Sequence, residues 1–226
     1  MGLGHWGTMR FHDRADAGRA LAVPLAGYRG RSDVLVLALP RGGVLVGFEL
    51  ARELGLPLDA YLVRKLGVPG HEELAMGALA SDGTRVLNDV VIGRLGITDE
   101  TIASATASEG RELQRRERAY RGDRPAVDVR GRTIILVDDG VATGASIRVA
   151  ARALRARAPD RLVLAVPVGP RSVCDELLPL ADEVVCLDPQ ERFRAVGAAY
   201  DEFSQGSDAE VRELLERARG ARHARE

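Results

Sequence analysis

The chain has 226 residues, 46% hydrophobic and 29% charged, with a formal net charge of −1. Such a chain can bury a core of its own and reads as a single soluble domain, spanning residues 10–226. Near-neutral charge leaves no electrostatic footprint for nucleic acid, and the longest apolar runs, such as Val34 to Pro40, are too short to span a bilayer. The start has no charged segment followed by an apolar stretch, so a cytoplasmic protein with no membrane partner is expected.

Residues 1–9 are expected to be a disordered extension. Their Gly2-Leu-Gly4-His-Trp-Gly7 run spells a dinucleotide-type glycine pattern, but no strand precedes it, as that pattern requires. A helix is predicted at Arg14 to Ala26, a strand at Asp33 to Leu39, a helix from about Val44 to Leu54 and a strand at Leu58 to Arg64. The stretch Lys65 to Gly83 contains Pro69-Gly70 and shows no clear apolar period; a loop of that length in a compact domain implies a function, and a mobile flap is expected. Arg85 to Leu87 reads as a short strand and Thr98 to Arg121 as a long charged helix that Thr98 caps. Then come a strand at Thr133 to Val137, a helix around Ser146 to Ala156, a strand at Leu162 to Val168, a helix near Ser172 to Leu180, a strand at Glu183 to Leu187, and a last helix from Asp208. Short β-branched runs alternating with helical periods argue for an α/β fold with a Rossmann-like parallel sheet flanked by helices. Cys174 and Cys186 fall in a predicted helix and strand with no CxxC pair or histidine cluster, and are expected to be buried free thiols. The basic stretch Arg217 to Arg225 is expected to be a solvated tail.

The most informative segment is Leu136 to Ser146, LVDDGVATGAS, where an apolar strand runs into a carboxylate pair and then a glycine and hydroxyl loop at a helix start. Backbone N–H groups and the positive end of the helix dipole converge there, which suits a phosphate. Asp138 and Asp139, beside an anion site, make sense as acceptors for a neutral group attached to that phosphate, and a ribose diol fits. The loop is not a P-loop, because Ala145 stands where that motif needs lysine. A second strand-to-helix junction, Leu39-Pro40-Arg41-Gly42-Gly43, has the glycines for close backbone approach to an anion, or simply for easing a helix entrance. Arg64-Lys65 follows at the edge of the expected flap, and Lys65 is the only lysine among 32 basic residues. His5, His12, His71 and His223 lie away from these loops, except His71 in the expected flap, where a solvated role is favoured.

The 136–146 segment resembles the phosphoribosyl-diphosphate (PRPP) signature of type I phosphoribosyltransferases, which is an apolar run, two acids, and a loop ending Thr-Gly-x-Ser/Thr. The resemblance covers most of residues 10–205. It implies a type I phosphoribosyltransferase-like fold with a flexible flap at about 65–83 and a small C-terminal hood at about 188–205. Asp138 and Asp139 would hold the ribose hydroxyls, and Gly140, Val141, Ala142, Thr143, Gly144, Ala145 and Ser146 would wrap the 5′-phosphate. Arg41, Gly42, Gly43, Arg64 and Lys65 would hold pyrophosphate, with Asp138, Asp139 and Lys65 as the catalytic set.

The segment Phe193 to Phe203 resembles the base-binding hood of 6-oxopurine enzymes, with Phe193 stacking on a heterocycle and Tyr200 or Asp201 lining the pocket; the same aromatics could equally be core residues. Two departures stand against a purine assignment. Ala142 occupies the place of the aspartate that exchanges a proton with the base, and the strand Leu162 to Val168 lacks the lysine that reads the exocyclic oxygen. An acid of the pair could substitute as base. The implied activity is Mg²⁺-dependent transfer of the phosphoribosyl group from PRPP to a nitrogenous base in nucleotide salvage, by a homodimer, with Mg²⁺ held mainly through PRPP rather than by a dedicated metal site. A non-catalytic PRPP or nucleotide sensor with the same pocket is the alternative, and a hydrolase of phosphorylated sugars a weaker third.

Overall fold

The structure is a computed structural model and is described for residues 9–122, 127–204 and 206–223. Apart from Met9, which packs against the Phe11 cluster, the expected N-terminal extension lies outside the described residues, as does His5.

The elements, in chain order, are α1 (Arg14–Ala22), β1 (Val34–Ala38), α2 (Gly42–Leu54), β2 (Leu58–Ala60), β3 (Val63–Val68), β4 (His71–Ala80), β5 (Arg85–Leu87), α3 (Asp89–Leu95), α4 (Asp99–Arg121), β6 (Thr133–Val137), α5 (Ala145–Ala156), β7 (Arg161–Pro170), α6 (Arg171–Leu177), β8 (Glu183–Gln190) and α7 (Asp208–His223). Five strands form one sheet in the order β2-β1-β6-β7-β8, with every pairing parallel. Alternation along these strands divides the core between the two faces. Val34, Val36, Ile135, Val137, Val163 and Ala165 face α2, α4 and α7, while Leu35, Leu37, Ile134, Leu136, Leu162 and Leu164 face α5 and α6. Both faces are covered, which is why β1 and β6 are apolar at nearly every position instead of alternating with polar residues.

The chain leaves β1 through α2 toward β2, and leaves β6 through α5 toward β7 on the other face. The neighbouring strands β1 and β6 therefore form a topological switch point, where open α/β sheets leave a crevice beyond the strands' carboxyl ends.

Several expected boundaries and environments change. The expected strand Leu58 to Arg64 breaks into β2 and β3, and the stretch from Lys65 to Gly83 is mainly strand. β3, β4 and β5 form a separate antiparallel sheet. Its period of two is obscured by register shifts between Leu66, Gly67 and Val68 and by the glycines within it. Helix α3, which the pattern did not predict, is started by the Asn88 side chain accepting from Val91 N at 3.3 Å and stopped by left-handed Gly96. Cys174 and Cys186 are not free thiols; they form a disulfide joining α6 to β8, two elements that the fold brings side by side. Arg217 and Arg219 do not belong to a solvated tail either. They lie on α7, which packs on α2 and α4; the Arg217 guanidinium sits 5.0 Å from the Phe48 ring centroid, and Arg219 lies 3.9 Å from Asp59. Of the rest of the expected tail, residues 224–226 and the side chains of 221–223, His223 included, lie outside the described structure.

Among the described residues, no helix is long and apolar enough to cross a membrane.

Candidate active site

Because β1 and β6 are adjacent, the two glycine loops that follow them meet. Leu39 N donates to Val137 O at 2.9 Å, so the register continues into the loops themselves. The contact is closest at Gly42 and Gly43, at the start of α2. A Cβ on Gly42 would fall 1.9 Å from Asp139 Oδ2, and one on Gly43 would fall 2.9 Å from Val137 O and 3.0 Å from Asp138 Cα. These glycines therefore do more than ease a helix entrance: they let the 39–43 loop lie directly on the acid pair. Arg41, preceding them, is exposed, and the Pro40–Arg41 peptide is cis.

Asp138 and Asp139 follow the last residue of β6 and are both partly buried. Asp139 N donates to Asp138 Oδ1 at 2.9 Å. Burial, and then the charge of Asp139, hold the Asp138 carboxyl well above the usual carboxylate range. Asp139 has a partner that the sequence reading did not identify. Arg14, the first residue of α1, donates from Nε to Asp139 Oδ2 at 2.8 Å, its side chain only 6% exposed.

The loop after the acids closes on the start of α5. Gly140 lies against Val168 and Val196, and Val141 is buried with its N–H on Val168 O at 2.9 Å. Ala142, Thr143, Ala145 and Ser146 are exposed. Thr143 Oγ1 accepts from Ala145 N at 3.3 Å. Gly144 caps α5 in the left-handed conformation (φ 70°), which favours glycine, and a Cβ there would meet Val173 at 2.9 Å. Arg148 pins the loop by donating to Thr143 O at 3.4 Å while pairing with Glu176 at 2.5 Å.

Arg64 and Lys65 do not act as one basic pair, because neighbouring strand residues point to opposite faces. Arg64 pairs with Glu109 of α4 at 2.5 Å. Lys65 is exposed and shares its face with Val63, which packs against the cluster that contains Ile147 of α5. Glu109 therefore competes with an incoming anion for Arg64, and Lys65 stands on the α5 side. His71 is exposed.

The segment after β8 folds back over the acid pair. Phe193 is half-buried beside a small cluster of Phe11, Val168 and Tyr200. Tyr200 is 4% exposed and packed between Phe11 and Phe203, with ring centroids at 5.6 and 5.1 Å. Its hydroxyl donates to Asp139 O at 2.5 Å, and burial keeps the phenol well above its ordinary range, so it remains a donor. Enclosed in this way, Tyr200 supports the acid pair rather than lining an open base pocket. Asp201 is exposed and paired with Arg10. Phe11 N bonds Ala199 O at 2.8 Å, and Asp201 N bonds Phe11 O at 2.9 Å, so residues 10–14 are part of the site region.

Two glycine loops meet at one switch point of a parallel α/β sheet, with a carboxylate pair between them. Comparison with known proteins makes the class specific. The phosphoribosyl transferase domain family matches residues 10–202, and the chain belongs to this family. Two Mycobacterium tuberculosis proteins, from strains CDC 1551 / Oshkosh and H37Rv and each named "Putative phosphoribosyl transferase", are 47% identical to it over 208 residues. The match covers 92% of this chain and 47% of each relative, so the chain spans about half the length of these relatives. The solved structure of TT1426 from Thermus thermophilus is 41% identical, with a TM-score of 0.81 over 92% of this chain and 98% of that one.

Proposed function

We propose that the chain transfers the 5-phosphoribosyl group from PRPP to a nitrogenous base, purine or pyrimidine, with release of pyrophosphate. The observation that supports this reading is the packing of the Arg41-Gly42-Gly43 loop onto the Asp138–Asp139 pair, which suits one loop holding pyrophosphate and the other holding ribose and its 5′-phosphate. In the reaction, a ring nitrogen of the base forms a bond to C1 of the ribose as the bond from C1 to the pyrophosphate oxygen breaks. The electron pair of that bond leaves with pyrophosphate, and positive charge grows on the sugar in between.

Each group has a part suited to its chemistry. The 140–146 loop and the α5 N-terminus hold the 5′-phosphate. The acid pair accepts hydrogen bonds from the ribose hydroxyls and fixes C1 in line, and orientation of this kind can contribute about 7–11 kcal/mol. Arg41, a planar fork, and Lys65, a compact ammonium, neutralise the departing pyrophosphate. Ala142 offers no carboxylate, so the proton leaving the base goes to the acid pair, and Asp138 is the member with raised proton affinity. Phe193 supplies the surface on which the base rests.

Mg²⁺ would suit this site, where Asp138 and Asp139 would offer carboxylate oxygens and the ion would be held mainly through PRPP. When bound, it spreads the charge that develops on pyrophosphate. Among the described residues, no group of three or more His, Cys, Asp or Glu side chains stands close enough to hold a metal ion. In this reading residues 65–83, within β3 and β4 and the turn that follows, serve as the flap, residues 188–205 as the hood, and the working form is a cytoplasmic homodimer.

A panel of bases with PRPP and Mg²⁺, read by pyrophosphate release, tests the proposal. Release that depends on one base supports it. PRPP binding with no turnover on any base favours a sensor, and release without base favours a hydrolase.

A further inference from the structure

We infer that Arg14 is a positioning residue of the sugar site, a guanidinium supplied by α1 that fixes the Asp139 carboxylate in the orientation a ribose diol requires. The inference rests on the crevice being a ribose 5-phosphate site and adds a residue outside both anion loops. Arg14 is a poor choice for the helix that carries it, because a cation in the first turn opposes the positive end of the helix dipole. Nor does α1 need it to start: Asp13 already caps the helix, its side chain accepting from Asp16 N at 2.7 Å. Burying a guanidinium is costly unless it is paired and hydrogen-bonded, so a 6% exposed Arg14 needs a reason in what it touches.

Its contacts converge on the crevice. Besides the Asp139 bond, Nη1 donates to Ser204 O at 2.6 Å and Cζ lies 3.9 Å from the Phe203 ring centroid. The fork is thus held by a carboxylate, a carbonyl and an aromatic face, which leaves its direction little freedom. Tyr200 fixes the main chain of the same aspartate through Asp139 O. Asp139 is therefore held at its side chain by α1 and at its backbone by the segment after β8. Arg14 engages one oxygen of a group with about four lone-pair sites, so it orients the carboxylate while leaving capacity for sugar hydroxyls.

Calorimetry on the full chain with ribose 5-phosphate and with inorganic phosphate separates this role from a structural one. Inorganic phosphate reads the anion loops without the acid pair, and the gain of ribose 5-phosphate over it reads the acid pair. In Arg14→Met the gain should fall about tenfold or more, the size of one lost charge-assisted hydrogen bond, with phosphate affinity kept. Arg14→Lys should recover part of it. A folded Arg14→Met that keeps the full gain, or loses both affinities alike, would make Arg14 structural and overturn the inference. If Arg14→Met fails to fold, Arg14→Lys decides, a reduced gain at unchanged phosphate affinity supporting the role and an undiminished gain opposing it. A wild-type protein with no gain would instead overturn the sugar-site reading itself.

Discussion

Arg121 and Arg14 are each buried against an aspartate, at 3% and 6% exposure, yet the two pairs are built differently. Arg121 reaches both oxygens of Asp59 from Nε at 3.1 and 3.2 Å, donates to Ala60 O at 2.6 Å, and pairs with Glu117 at 2.8 Å. Ala60 N adds a bond to Asp59 Oδ1 at 2.8 Å. This pair saturates its aspartate and ties the end of α4 to β2. Arg14 takes one oxygen of an aspartate that already has a second carboxylate beside it and a glycine backbone pressed against it. A carboxylate with one cation on one oxygen and a second carboxyl beside it is poor for stability and good for a ligand that brings donors. Saturation marks the scaffold, and incomplete pairing marks the site.

Variants can break or sharpen this contrast. Arg121→Met should have the largest effect, destabilising the fold by about 3 kcal/mol, because the buried Asp59 loses its close partner and is left with Arg219 at 3.9 Å and the Ala60 N–H. Thermal or denaturant unfolding checks it, and ribose 5-phosphate affinity of the folded fraction should not change. The double variant Asp138→Asn, Asp139→Asn should keep its fold and lose PRPP affinity by about a hundredfold or more, since hydrogen bonds to charged groups are worth about 1.5–3 kcal/mol each. Unchanged affinity would refute the role of the pair. Gly42→Ala should cost about tenfold in PRPP affinity through displacement of Asp139, a change of about 1.4 kcal/mol. Gly93→Ala on α3, where a Cβ meets open space, should do nothing by the same calorimetric measure.

The smallest effect is on stability against pH. The folded-state proton affinity of Asp138 is raised, so its contribution is fully present below the ordinary carboxylate range and is lost as pH rises through the raised value. Asp138→Asn removes that loss. It should melt higher than wild type at neutral pH, by about 2–4 °C for each kcal/mol in a chain of this size, with the difference vanishing in acid. Equal melting at both would mean that the carboxyl is not strained.

The parallel sheet was legible because its strands are short, apolar and punctuated by glycine loops, and the 136–146 segment carries strand, acids, loop and helix in one continuous run. The adjacency of β1 and β6, on which the meeting of the two loops depends, could only be supposed. What local pattern could not show was long-range. Arg14 lies 125 residues from Asp139, and its only local sign is a cation in a first helical turn already capped by Asp13. Arg64 reads as half of a basic pair until Glu109 of α4 is placed against it. The Cys174–Cys186 disulfide follows from α6 packing beside β8, which spacing does not reveal, and Tyr200 reads as a pocket wall until its neighbours enclose it. The β3–β4 hairpin was hidden by register shifts that interrupt the alternation on which strand recognition relies.

The most direct measurement is a crystal structure of the protein with ribose 5-phosphate. The sugar hydroxyls should lie on Asp138 and Asp139, with the phosphate in the 140–146 loop at the start of α5. An empty crevice, or a sugar bound with its hydroxyls away from both carboxylates, would contradict the account.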